Sequence, residues 1–334
     1  MTGKIAVLGA GAWGITLADM LTAQGHPVAL WSRNGETARQ INEEHRTPIL
    51  KDIPLRPELS AFTDPARALD GAAAVVSVIV SHGLRGFLRS VSGAWPLGVP
   101  VLSASKGLEE HSCKRMSQVF LDELDGLTPE GLAVLSGPNL AGEIARRKPA
   151  STVVACPGSA TAAFFQSLLH SEIFRVYTSR DVLGVELGGA IKNVVAIAAG
   201  MCTGLDLGDN AAAALATRGV REISRLGARM GADPETFAGM AGYGDVFVTC
   251  FSRGSRNRGL GEEIGRGRPP GMAIAEKRSA LEGVHTVTAL CELGRRFSVP
   301  LPISETVRRV LFEDLPAREA LGVLMGREAK AENV

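Results

Sequence analysis

Lysine is scarce in this 334-residue chain: eight of its 36 basic side chains, against 28 arginines. Two of the eight sit where an ammonium could do chemistry. Lys192 lies within Gly188-Gly189-Ala190-Ile191-Lys192-Asn193-Val194-Val195-Ala196, and its helical neighbours Gly188, Gly189, Ala196 and Ala199 put little bulk over it. A partly desolvated ammonium has its pKa lowered, by as much as roughly 3–5 units at full burial. It then gives and takes protons near neutral pH. The alternative is a lysine that reaches water past small residues. Lys106, in Ser103-Ala104-Ser105-Lys106-Gly107, follows a buried apolar run, where strand carboxyl ends meet ligands in open α/β sheets; lysines at such ends are also often simply exposed. Asp245, in Gly242-Tyr243-Gly244-Asp245, places a carboxylate in a flexible turn, able to orient a lysine or to cap a helix.

Two further groups of residues fit anions. Lys4–Leu8 runs directly into Gly9-Ala10-Gly11-Ala12-Trp13-Gly14 and then into a helical pattern, Ile15–Gln24. In such a turn Gly9 permits the tight bend, Gly11 lets a pyrophosphate approach the backbone, and Gly14 allows close helix–strand packing. The helix N-terminus adds unpaired N–H groups and about half a positive charge. After the second strand stands Arg33, where a site selecting NAD usually carries an acid. An arginine there either faces a 2′-phosphate or stacks on adenine, a lean toward NADP or dual use of both cofactors, or is a solvated surface residue. Farther on, Ser252-Arg253-Gly254-Ser255-Arg256-Asn257-Arg258, followed by Arg266 and Arg268, offers several donors to phosphate. Leu135-Ser136-Gly137-Pro138-Asn139 ends a strand and is expected to open a helix whose first N–H groups face a substrate oxygen.

Composition narrows the field. The 36 basic and 35 acidic side chains nearly cancel, so no whole-chain field calls for nucleic acid or an anionic membrane. Aromatics are only 5% and none interleave the basic cluster, against nucleic-acid binding. No apolar run is expected to reach the roughly 18–20 residues of a membrane span, and the N-terminus has no secretory leader pattern. Five dispersed cysteines without a CxxC pair read as reduced cytosolic thiols, not as a disulfide framework or zinc site. No histidine stands at metal-ligand spacing. His82 is read as structural or as a neighbour of a cofactor.

Elements must hold these groups together. Short β-rich runs (Lys4–Leu8, Val28–Trp31, Ala73–Val80, Val99–Ala104, Leu132–Ser136, Thr152–Ala155, Phe174–Tyr177) alternate with helical patterns, predicting a parallel sheet flanked by helices. Asp64 caps and Pro65 opens one such helix, and Pro48–Pro57 reads as a loop. Beyond about Arg180 the texture is helical, with long patterns over Asp181–Met201 and Asn210–Met230, the latter carrying arginines on one face. The expected fold is α/β: a Rossmann-type doubly wound sheet domain, residues 1–180, followed by an all-helical C-terminal domain for substrate binding and catalysis, residues 181–334.

Together these segments resemble the bacterial-type NAD(P)-dependent glycerol-3-phosphate dehydrogenase family, over nearly the whole chain. The resemblance rests on the GAGAWG turn, Ser105–Glu109, Leu135–Pro138, Leu187–Val194, Gly242–Asp245, Ser255–Asn257 and Leu281-Glu282-Gly283. It implies reversible hydride transfer between NAD(P)H and dihydroxyacetone phosphate, giving sn-glycerol 3-phosphate for phospholipid synthesis. It makes Lys192 the general acid toward the carbonyl oxygen, sets Lys106 beside the carbonyl and the nicotinamide, and has Asp245 position the catalytic lysine. Substrate contacts fall to Gly137, Asn139, Ser255, Arg256 and Asn257 beside these three. Cofactor contacts fall to the turn (Gly9, Gly11, Ala12, Trp13, Gly14) and to Arg33, Lys106, Ala141, Arg256, Ala280 and Glu282. Two positions depart from the family: Ala12 replaces a common Ser, and Asn139 a Thr or Ser. The resemblance implies no metal, a cytoplasmic enzyme, and a small phosphorylated substrate; the apolar helical half is compatible with a homodimer. A hydroxy-acid dehydrogenase of similar build, or a cofactor-binding sensor without turnover, are the competing readings.

Overall fold

The computed structural model describes residues 3–277, 281–329 and 331–332. Eight strands form one sheet: β1 (Lys4–Leu8), β2 (Val28–Trp31), β3 (Ser60–Phe62), β4 (Ala72–Ser77), β5 (Val101–Ser103), β6 (Leu132–Ser136), β7 (Ala150–Ala155) and β8 (Phe174–Ser179). Their order is β3-β2-β1-β4-β5-β6-β7-β8. The first six follow the 3-2-1-4-5-6 order of doubly wound dinucleotide folds. The carboxyl ends of β1, β4, β5 and β6 therefore lie on one edge, where Gly9, Ser81, Lys106 and Gly137 follow them.

Apolar residues alternate between the faces as the pleat requires. Ile5 and Val7 pack on one side with Ile15, Leu17 and Phe165, while Ala6 and Leu8 pack on the other with Leu84, Leu88 and Phe120. Three expectations need correction. The sheet is not wholly parallel: β7 runs antiparallel to β6, and β8 then pairs parallel with β7 at the edge. β3 belongs to no expected strand; it is three residues long and gains its place by pairing with β2. β4 stops at Ser77 instead of Val80, because the chain leaves the sheet there to form the turn at Ser81–Gly83. Asp64 caps its helix as expected, accepting from the Ala66 N–H at 2.9 Å with Pro65 in the first position.

From Val182 the described chain is helical. Its axis is the helix Val182–Gly204, whose N-terminus is held by Asp181: one carboxylate oxygen accepts from the Gly184 N–H at 2.9 Å, the other from Thr236 Oγ1 at 2.7 Å. This 23-residue helix is, contrary to expectation, long and apolar enough to cross a membrane by length and composition. Most of it is buried among the helices 208–230, 245–251, 256–265 and 282–296, so its apolarity is that of a core element. All five cysteines are buried and unpaired.

Candidate active site

The GxGxxG turn has the shape that its glycines imply. Gly9 has φ +115°, and a Cβ on Gly14 would lie 1.8 Å from the Gly9 carbonyl oxygen, so the helix Ala12–Ala23 can start only this close to β1 without side chains there. Around Gly11 a Cβ would meet nothing within 4 Å. Open space over exposed backbone N–H groups at a helix N-terminus fits a dinucleotide pyrophosphate. Ala12 is the first residue of that helix. Trp13 packs against Phe174 at 6.2 Å between ring centroids, with its indole N–H buried and without a partner. Ala141, opening a short helix, presents its carbonyl to Thr16 Oγ1 at 3.3 Å beside the same terminus. Arg33 is exposed after β2 and makes no hydrogen bond among the described residues.

Across the carboxyl edge of the sheet, Asp245 gathers both lysines. Its carboxylate is fully buried, with Lys106 Nζ 2.5 Å from Oδ2 and Lys192 Nζ 2.5 Å from Oδ1. The lysine side chains are 14% and 13% exposed, so each ammonium is held from inside yet still meets the surface. Asp245 is not in a flexible turn: it begins the helix Asp245–Phe251, after a wide five-residue turn at Met240–Gly244. Ser136 Oγ donates to Oδ2 at 3.3 Å, and Thr249 Oγ1 lies 3.4 Å from Oδ1 while donating to the Asp245 carbonyl at 2.6 Å. Each carboxylate oxygen thus has one ammonium and one hydroxyl. Lys106 also donates to the Gly137 carbonyl at 3.0 Å.

Gly188 and Gly189 have a different task from leaving Lys192 uncovered. A Cβ on Gly188 would lie 2.3 Å from the Ala241 carbonyl oxygen, and one on Gly189 would lie 2.5 Å from Ser136 Oγ. Their bareness lets the long helix touch both the turn that delivers Asp245 and the end of β6.

Burial disfavours charge on Lys106 and Lys192 repels it further. Attraction to Asp245 offsets only part of this, and the Lys106 pKa falls to about 8. Burial alone would raise the Asp245 pKa, but the two ammoniums outweigh it and the carboxyl is held below its ordinary value.

The remaining residues are less uniform. Asn139 is tied to β7, accepting from Thr152 Oγ1 at 3.1 Å and donating to the Ser151 carbonyl at 3.4 Å. Ser255 caps the helix Arg256–Gly265, accepting from the Arg258 N–H at 3.3 Å. Arg256 is exposed on its first turn. Asn257 is buried, donating to Asn193 Oδ1 at 3.0 Å and accepting from the Gly283 N–H at 3.2 Å, which leaves one amide hydrogen for a ligand. The broader arginine patch does not survive: Arg258 and Arg266 pair with Glu262, and Arg268 with Glu263 and Glu276. Glu282 accepts from both the backbone N–H and the hydroxyl of Ser81, joining the helix 282–296 to the end of β4. His82 stacks on His285 at 4.6 Å beside this contact. Ala280 lies outside the described residues. No His, Cys, Asp or Glu group among the described residues could hold a metal ion.

Sequence reasoning overlooked Ser136, Thr249, Asn193 and Ser81. Thr249 stands four residues after Asp245, one helical turn on, and Ser136 stands just before the singled-out Gly137; both spacings were readable.

A doubly wound sheet with a pyrophosphate-ready turn, facing a lysine pair that shares one carboxylate, defines a dinucleotide-dependent oxidoreductase with a helical second half. The comparisons narrow that class. Residues 4–162 match the family described as NAD-dependent glycerol-3-phosphate dehydrogenase N-terminus, and residues 181–322 the corresponding C-terminus. The chain is 46% identical to glycerol-3-phosphate dehydrogenase [NAD(P)+] of Thermobifida fusca, over 98% of each chain. It is 44% identical to that of Corynebacterium diphtheriae, over 98% of this chain and all of that one. The crystal structure of glycerol-3-phosphate dehydrogenase from Coxiella burnetii superposes with a TM-score of 0.93 at 34% identity, covering 98% of this chain and 99% of that one. The chain belongs to the NAD-dependent glycerol-3-phosphate dehydrogenase family.

Proposed function

We propose that this chain reduces dihydroxyacetone phosphate reversibly to sn-glycerol 3-phosphate with NAD(P)H, supplying phospholipid synthesis. The single observation that carries the reading is the Lys106–Asp245–Lys192 cluster at the carboxyl edge of a dinucleotide-binding sheet. NAD(P)H, when bound, supplies the hydride.

The chain's own residues do the rest. A ketone accepts hydride poorly until its oxygen is polarised, and a fixed cation beside that oxygen stabilises the developing alkoxide. Lys192 holds the proton at Nζ and delivers it to the substrate oxygen; in reverse it takes it back. Lys106 lies beside the carbonyl and adds a second positive charge. Asp245 fixes both nitrogens and balances one of the two charges, so that the site is cationic when the carbonyl gains electrons. Arg256, Ser255 and the spare N–H of Asn257 hold the phosphate, with Gly137 and Asn139 shaping the substrate's other side. Binding energy from the phosphate, remote from the reacting carbon, fixes its orientation.

The Gly9–Gly14 turn with Ala12 and Trp13 receives the pyrophosphate, and Ala141 and Glu282 line the cofactor path. Arg256 and Lys106 serve substrate and cofactor together. Arg33, exposed and unpaired among the described residues, favours the 2′-phosphate of NADP. The chain divides functionally into a dinucleotide domain, residues 1–180, and a substrate domain, residues 181–334. It works in the cytoplasm, as a homodimer.

Steady-state oxidation of NADH and NADPH in the presence of dihydroxyacetone phosphate tests the reading. Lys192→Ala is expected to lower turnover by two or more orders of magnitude; unchanged turnover rejects its role.

A further inference from the structure

The helix Gly208–Met230 carries a stripe of arginines that the proposed reaction does not use. Arg218, Arg221 and Arg225 recur at three and four residues, so they project from one face. Arg327, just after the helix Ala317–Met325, adds a fourth positive charge that acts on Arg225. Among the described residues none of the four has a carboxylate within ion-pair distance. Elsewhere in the helical half Arg258, Arg266, Arg268, Arg296 and Arg308 each have one.

The one acid on the same stretch is turned away. Glu222 is buried and accepts from the N–H groups of Ile303 and Ser304 at the start of the helix Pro302–Phe312. Arg218 reaches only the Glu332 carbonyl, at 3.2 Å. Arg225 is half-buried, and its Nε–H is shielded from solvent without any acceptor. A buried charged donor without a partner is costly, and burial together with the charges of Arg218, Arg221 and Arg327 lowers the Arg225 pKa despite Glu222. Clustered guanidiniums, with their outer N–H groups unpaired by any carboxylate among the described residues, complement an anion with several acceptor oxygens, for which arginine forks are suited. From Arg218 to Arg225 the helix rises roughly 10 Å, more than one phosphate group spans.

We propose that Arg218, Arg221, Arg225 and Arg327 form a second anion site, separate from the dehydrogenase crevice, for a small soluble ligand carrying two phosphate groups. The chain's near-zero net charge gives no field that would hold this face to an anionic bilayer, which favours a small ligand over a membrane surface.

Titration calorimetry of the full chain with inorganic pyrophosphate, with NADPH present in saturating amount, is the test. Binding is expected to persist in Arg256→Ala, and to weaken tenfold or more in Arg221→Ala and in the double variant Arg221→Ala/Arg225→Gln, with both folds checked by thermal melting. Adding salt is expected to weaken it further. Binding lost in Arg256→Ala but unaffected by Arg221→Ala overturns the proposal, as does absence of binding at millimolar pyrophosphate. Arginine-dependent sedimentation with phosphatidylglycerol vesicles, without pyrophosphate binding, also overturns it and assigns the patch to a membrane surface.

Discussion

Lys106 and Lys192 reach opposite oxygens of one sealed carboxylate from opposite halves of the chain, each at 2.5 Å. Two cations held by one anion leave a net positive charge in a nearly dry place. Such a place stabilises an oxyanion more than water would.

Asp245→Asn tests this balance. The change removes the only negative charge between the lysines and leaves their ammoniums buried against each other. Breaking a buried pair in this way costs about 3–5 kcal/mol. Urea unfolding is expected to show a loss of that order, and kcat/KM for ketone reduction to fall by roughly 10²–10⁴. A variant with wild-type stability and rate contradicts the assigned role of Asp245.

Lys106 sets a pH limit. Its pKa of about 8 means that the ammonium is lost as pH rises through that value, well below the ordinary 10.5. The rate of carbonyl reduction is expected to decline above pH 8 on that account. Lys106→Arg keeps the charge at every accessible pH, so whatever activity remains should lack this decline. A pH–rate profile of the two proteins decides it.

Glu222 makes stability depend on pH in the opposite range. Burial raises its pKa to about 7 from 4.5, against the N–H groups that it accepts. Between those values the folded chain binds more protons than the unfolded one, so stability falls as pH rises from 4.5 to 7. The effect is on the order of 3 kcal/mol. Glu222→Gln keeps an acceptor for Ile303 and should flatten the slope in urea unfolding at pH 5 and pH 8.

The close approach of the long helix is open to direct test. Gly188→Ala drives a Cβ toward a backbone carbonyl, which cannot swing aside. It is expected to cost about 1–3 kcal/mol of stability. Gly189→Ala meets the Ser136 hydroxyl, and should lower kcat while leaving the dissociation constant of NADH nearly unchanged. Ser136→Ala should relieve that clash in the double variant while forfeiting its hydrogen bond to Asp245.

Arg33→Ala tests the proposed lean toward NADP. If its guanidinium holds a 2′-phosphate, Arg33→Ala removes charge-assisted hydrogen bonds and raises KM for NADPH roughly ten- to hundredfold, with KM for NADH little changed. Parallel changes for both cofactors would show Arg33 to be a surface residue.

Much of this arrangement is legible in the sequence. β1, β2 and β6 and the Gly9–Gly14 turn follow from local pattern alone, because alternating apolar residues and obligatory glycines are local signals. β3 was missed because three residues carry too little pattern, and its strand state comes from pairing with β2. The antiparallel turn between β6 and β7 leaves no mark in composition. Lys106, Lys192 and Asp245 could be picked out singly, but their meeting joins residues as many as 139 positions apart and depends on Gly188 and Gly189 admitting two neighbours at once. Asn257 is expected to meet the substrate; that its amide also fastens three helices depends on the distant partners Asn193 and Gly283, which local pattern does not reveal.

The division of the charged cluster has a consequence for exchange between relatives. The nucleotide-holding half contributes one cation, while the helical half contributes the other cation and the anion that steadies both. Neither half is therefore an interchangeable cassette. A chimera that grafts this helical half onto a foreign dinucleotide sheet lacking a lysine after its fifth strand would inherit a buried carboxylate with half its counter-charge missing.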